Sequence, residues 1–344
     1  MAALDPTSRA ETPIAFIHAM LEAYKARGLD PSGALSKAQI APGLLTDQHA
    51  RVTALQLEWM SEAAMRELDD EALGWFRRRL PWGSYGMLVR ASLTAPTLGV
   101  AMKRWCRHHN LLTDDITLSL STEHGLAHID LLEHPERHDL GRLREFCLVS
   151  VLRNALGVAC WLTDSRISLT RSQLNLTAPA HVSSYRVLFD GPVEFMPAAA
   201  LPLSRLSFDA GYLSLPVRRD ELALQRMLQR ALLLTVRPYR RDRLLVEKVR
   251  QVLAEHLADT RNADAVASHL GLSTRTLHRQ LREEGASLQQ LKDGVRRERA
   301  LELLLKTRKP IKQVAAEVGF AHDKSFMRAF RVWTGKTVED MRGT

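Results

Sequence analysis

The chain has 344 residues and a mass of 38.7 kDa, enough for two domains of ordinary size. Its 45% hydrophobic and 25% charged residues are typical of globular proteins and exclude a disordered or fibrous architecture. The formal charge of +9 is unevenly placed: Arg237–Thr344 holds 23 basic and 14 acidic residues, whereas Met1–Val236 holds 25 of each. A basic segment joined to a neutral one points to a polyanion reader attached to something else, although a well-solvated surface would carry the same charge.

In chain order, Pro13–Arg27 has Ile14, Ile17, Met20, Leu21 and Tyr24 at helical spacing, with Gly28 as a stop. Thr53–Leu68 and Pro96–His109 are further amphipathic helices. The period then becomes two. Ile116, Leu118 and Leu120 alternate with small polar residues, a turn falls at Glu123–Gly125, and Leu126–Leu131 returns, which predicts a β-hairpin. Leu143–Leu162 reads as a long helix buried on most sides. Short strands are expected at Ile167–Thr170, Val193–Met196 and Leu206–Asp209. Residues 1–235 are therefore expected to form an α+β domain, with helices on a small antiparallel sheet.

Val236–Arg241 contains a proline, several charges and no periodicity, so 236–241 reads as a linker. Only helix follows, beginning with Asp242–Leu257, so 242–344 is expected to be an all-α domain. Cys106, Cys147 and Cys160 are odd in number and lie among apolar neighbours. They read as core thiols of a reducing cytoplasm. The first 20 residues show no secretory signal. The most apolar stretches read as too short, or too interrupted by charge, to span a bilayer.

The basic third repeats. Val266-Ala267 and Leu270-Gly271 recur 48 residues later as Val314-Ala315 and Val318-Gly319, and Leu277, Arg279 and Leu281 recur 49 residues later as Phe326, Arg328 and Phe330. Each copy has the makings of a helix-turn-helix. A small residue allows close helix approach, a glycine takes the left-handed turn, and two apolar residues pin the second helix. Any αα-hairpin offers one such match. Two in register within a basic domain predict nucleic-acid binding, with units at about 263–284 and 311–332.

At this point the chain resembles the AraC/XylS family of bacterial transcription regulators. Ile311, Val314-Ala315, Gly319-Phe320, Ser325-Phe326, Arg328, Phe330, Gly335 and Arg342 carry the likeness. Upstream, 81–86, 95–99 and 192–195 resemble the family's larger sensor type, in the layout of ornithine-utilisation regulators. Val338 and Met341 depart from the proline and tyrosine usual in the last helix. The resemblance implies two helix-turn-helix units joined by a long helix, here Leu288–Lys306 with a Ser287/Gln290 capping box. It implies double-stranded promoter DNA as partner, a small-molecule effector in the first domain, activation through RNA polymerase, and leaves a homodimer open.

Matched to the family motif, Arg275, His278 and Arg279 in the first unit face bases, with Thr274 and Thr276 placed for phosphate. In the second unit Lys324, Ser325, Met327 and Arg328 face bases, and Asp323 reads as a cap rather than a cytosine acceptor. Arg296, Arg297 and Arg299 either touch phosphate or pair with Glu298 and Glu302. Polar or aromatic groups inside apolar segments, Trp82, Tyr85, Trp105, Asn154 and Trp161, are the effector-pocket candidates. Each is equally a core aromatic or a satisfied amide.

Catalysis, cofactor and metal are not expected. Six histidines between His108 and His138 lack metal-ligand spacing. An AraC-linked DNA-repair methyltransferase would need an activated cysteine in a Pro-Cys-His-Arg setting, and Cys106 follows Trp105 instead. A constitutive regulator whose first domain only dimerises or contacts a partner is the other alternative.

Overall fold

A computed structural model describes residues 10–197, 202–229, 243–257, 259–260 and 262–342. The chain divides into units spanning 1–240 and 241–344, and the expected linker at 236–241 lies outside the described residues.

The first unit opens with β1 (Ala10–Pro13), which pairs antiparallel with β2 (Arg51–Thr53). Between them run α1 (Ile14–Ala26) and α2 (Ser32–Lys37). Helix α3 (Ala54–Glu67) starts at a capping box, in which Thr53 Oγ1 accepts from Gln56 N and Gln56 Oε1 accepts from Thr53 N. Helices α4 (Ser84–Leu93) and α5 (Leu98–Leu112) precede the hairpin of β3 (Ile116–Glu123) and β4 (Leu126–Glu133). After α6 (Arg144–Thr163) come β5 (Leu169–Leu174), α7 (Val182–Leu188), β6 (Glu194–Phe195), β7 (Leu203–Asp209) and α8 (Glu221–Leu228).

The larger sheet has the order β3-β4-β7-β5-β6, antiparallel except for the parallel β5–β6 pair. Ile116, Leu118, Ala127, Ile129, Leu131, Leu206 and Phe208 are at most 1% exposed. The period-two pattern thus buries one face of the hairpin. Across the β4–β7 register, Asp130 takes a two-pronged bond from Arg205 at 2.6 and 2.7 Å.

Two expectations need correction, and one group of elements was not foreseen. The strand placed at 167–170 runs over Leu169–Leu174, set by its pairing with β7 rather than by its own apolar content. The 10–13/51–53 pair and helices α2, α4, α7 and α8 lack a sequence reading above. Finally, Gly141–Thr163 is long and apolar enough to cross a membrane, so length does not exclude that reading. In the fold, 89% of its most apolar stretch is buried, and from Phe146 to Thr163 only Ser150 and Asn154 are not buried.

The second unit is helical throughout its described residues: α9 (Leu244–Glu255), α10 (Ala263–His269), α11 (Thr274–Glu283), α12 (Leu288–Lys306), α13 (Ile311–Glu317), α14 (Asp323–Thr334) and α15 (Val338–Arg342). Helix α12 begins at the expected capping box, Ser287 Oγ accepting from Gln290 N at 3.3 Å and Gln290 Oε1 from Ser287 N at 3.1 Å. Its first half supplies Leu288 and Val295 to a core with Val249, Val266, Leu277 and Leu281. Its second half supplies Ala300, Leu303 and Leu304 to another with Val314, Phe326 and Phe330. Leu257 packs against both.

Candidate functional site

In the first helix-turn-helix, Asn262 caps α10 through Ala265 N at 2.8 Å, and Gly271 turns the chain at φ +64°. Ser273 then caps α11, accepting from Thr276 N at 3.2 Å. Leu277 and Leu281 are at most 1% exposed, which fixes the opposite face outward. Arg275, His278 and Arg279 are exposed there. Arg279 leans on Glu283 at 3.1 Å, an exposed pair that competes weakly with other partners. The Thr274 hydroxyl donates to the Asp264 carboxylate, and the Thr276 and Ser273 hydroxyls lie 2.8 Å apart. Phosphate contact by either threonine therefore requires exchanging an internal partner.

In the second unit Gly319 makes the corresponding turn at φ +83°. Lys324, Ser325 and Arg328 are exposed on α14. Two expectations change. Met327 is half-buried and packs on the second core, so its side chain is turned partly away from the outer face. Asp323 is the first helical residue, not the cap; His322 holds the cap position, while Asp323 Oδ1 accepts from Lys324 N at 2.7 Å. Its carboxylate still meets a first-turn N–H, from one position inside the helix.

Superposing the repeat by its 49-residue shift pairs Arg275, Arg279 and Arg282 with Lys324, Arg328 and Arg331. All six are exposed, each trio at i, i+4 and i+7, hence on one helix face. Arg282 and Arg331 were absent from the motif-based assignment, and the i+7 spacing was the signal available for them. On α12, Arg299 pairs with Glu302 at 2.7 Å, whereas Glu298 pairs with Arg250 at 2.9 Å rather than with a neighbour on its own helix. Arg297 is exposed. Arg296 is half-buried with its guanidinium over Phe320.

The first unit contains a cavity of about 330 Å³ framed by α3, the 71–83 loop, α4, α6 and α8. The fully buried Asp70 organises that loop, accepting from Ala72, Gly74 and Leu80 backbone N–H groups at 3.0 Å each and from Arg27 at 2.6 Å. Trp82, Tyr85 and Asn154 line the cavity. Trp105 and Trp161 do not; they are core residues at 1% and 6% exposure. Glu58, Glu71 and Trp75 line it as well, and sequence reasoning passed over all three. Among the described residues, no cluster of three or more His, Cys, Asp or Glu side chains is placed to hold a metal. Cys106 is buried, which pushes its thiol pKa up to about 12, the reverse of an activated nucleophile.

Residues 28–217 match the family described as the arabinose-binding N-terminal domain of AraC transcription regulators, and residues 266–344 match a helix-turn-helix domain family. The Ornithine utilization regulator of Pseudomonas aeruginosa is 28% identical over 334 residues, covering 96% of each chain. The HTH-type transcriptional activator RhaS of Escherichia coli is 38% identical over 80 residues, 23% of this chain and 29% of that protein. The crystal structure of the transcriptional regulator CdpR from Pseudomonas aeruginosa aligns over 96% of this chain and 98% of its own at 22% identity, with a TM-score of 0.34. One family match falls in each unit, and the chain belongs to the AraC family of DNA-binding transcription regulators.

Proposed function

We propose that this regulator is a cytoplasmic, non-enzymatic activator that reads a two-part operator with α11 and α14. A small-molecule effector in the first unit controls it, and it works with RNA polymerase, as a homodimer where the operator repeats. The observation that carries the DNA reading is the pair of matching basic trios, each exposed opposite two buried anchor residues. On these two helices Arg275, His278, Arg279, Lys324, Ser325 and Arg328 take the base edges, since an arginine fork matches guanine O6 and N7. Arg282 and Arg331, farther along each helix, take phosphate. Helix α12, roughly 28 Å long at 1.5 Å per residue, spaces the two readers on the scale of one DNA turn, about 34 Å.

Selection from randomised duplexes tests this reading. The expected product is a pair of half-sites about 10 base pairs apart, bound with a steep linear fall of log K against log salt. A single unspaced motif, or a flat salt plot, contradicts it. Effector control is tested by operator occupancy with and without candidate ligands. Occupancy unmoved by any ligand that binds the first unit favours a constitutive regulator instead.

A further inference from the structure

The cavity beneath α8 has four aromatic walls, Trp75, Trp82, Tyr85 and Phe146. Two of its lining carboxylates, Glu58 and Glu71, are each only 7% exposed. The two arginines that reach it sit at the exposed rim and are already engaged. Arg66 lies 4.2 Å over the Trp82 ring and pairs with Glu62 at 3.3 Å, while Arg90 forks onto Glu221 of α8 at 2.7 to 3.2 Å.

Glu71 is held differently. One oxygen accepts from Gly83 N at 2.6 Å and the other from Tyr85 N at 2.8 Å. Among the described residues no cationic side chain pairs with it. Burial raises its carboxyl pKa despite those N–H groups. The rest of the lining is largely apolar, including Leu57, Met65, Leu73 and Val89.

We infer that this cavity binds a small organic ammonium ion, with the cationic head beside Glu71 and an apolar body against the aromatic and aliphatic walls. The inference rests on the effector reading above and supplies its ligand class. A desolvated, charge-assisted bond to a carboxylate is among the stronger polar contacts available, and aromatic faces attract cations as well. An anion meets the buried Glu71 carboxylate. A sugar, polar at every edge, leaves hydroxyls unpaired against the apolar side. An occupant also touches Met227 and Leu228 of α8, just ahead in sequence of the segment leading to the DNA-binding unit. Gly86 of α4 closes against the same helix: a Cβ placed there would stand 3.3 Å from Leu228 Cδ2.

The test is calorimetric titration of the full chain, without DNA, using hexylamine, hexanol, hexanoate and L-arabinose. Hexylamine is expected to bind more tightly than the other three. Glu71→Gln is expected to weaken it by about tenfold or more, and Ser150→Leu, which fills the cavity from α6 and leaves both carboxylates in the sequence, to abolish binding. Absence of hexylamine binding, equal or tighter binding of another probe, or wild-type affinity in either variant overturns the inference; if Glu71→Gln does not fold, Ser150→Leu decides. Failure of the effector reading looks different: hexylamine binds as described, yet operator occupancy does not change.

Discussion

The guanidinium carbon of Arg296, midway along α12, lies 5.1 Å from the centre of the Phe320 ring, just past the turn of the second helix-turn-helix. Phe320 is itself in edge contact with Phe326 at 5.8 Å. The spacer helix is thereby keyed to the second reading unit through a stacked cation rather than through an ion pair. Burial of the arginine lowers its pKa, yet the guanidinium stays charged, as a cation–π contact requires.

Arg296→Ala is expected to cost about 1–2 kcal/mol of stability in the second unit through lost cation–π contact and stem packing. Affinity for a two-part site should fall more than affinity for a single half-site, measured by fluorescence anisotropy. Equal losses on both duplexes would assign Arg296 to phosphate contact instead.

Arg279→Ala is expected to reduce specific binding by about 1–3 kcal/mol, the worth of one bidentate base contact, with a much smaller loss on scrambled DNA at the same salt. Equal losses on the two duplexes would show that Arg279 meets only phosphate.

Asp70→Ala removes the acceptor shared by three backbone N–H groups and Arg27. Three buried N–H donors left without an acceptor, and an Arg27 guanidinium left with the Leu68 carbonyl alone, make this costly, about 3–5 kcal/mol. For a unit of this size the thermal midpoint should drop by roughly 10 °C. Retention of the wild-type midpoint would mean that the 71–83 loop does not depend on this carboxylate.

His109 is fully buried and its pKa is lowered by desolvation to about 4. Because the unfolded chain titrates near 6.5, it takes up this proton at higher pH than the fold does. Stability is therefore intact above about pH 6.5 and declines as pH falls toward 4, by about 3 kcal/mol in all. His109→Phe should flatten that part of the profile in denaturant titrations across the range. An unchanged slope would locate the acid sensitivity elsewhere.

The DNA-binding half was the more legible because its boundaries are written in local chemistry. Ser273, the Ser287/Gln290 box and the turn at Gly271 act within a few residues of where they stand, and α11 and α12 begin, and α10 ends, where those signals place them. The sensor half depends on distant partners. The β1–β2 pair joins segments about forty residues apart, and β5 is aligned by β7. Its cavity was only partly visible for the same reason. Trp82, Tyr85 and Asn154 are conspicuous as unusual residues in apolar stretches. Glu58, by contrast, sits on an amphipathic helix where a glutamate reads as solvated, and only the return of the 71–83 loop and α8 encloses it. Trp105 was conspicuous too, but α5 turns it into the core.

Helix α12 lends one half to each of two cores, so its length works as a phase gauge. Removing one residue from its middle would turn the second reader by about 100° and draw it in by 1.5 Å, aiming Lys324 and Arg328 away from the direction in which Arg275 and Arg279 face. Four added residues would bring the face back to within about 40° while lengthening the span by about 6 Å. Operators for relatives with altered spacers should therefore differ in half-site distance by whole helical turns of the spacer, not by arbitrary increments.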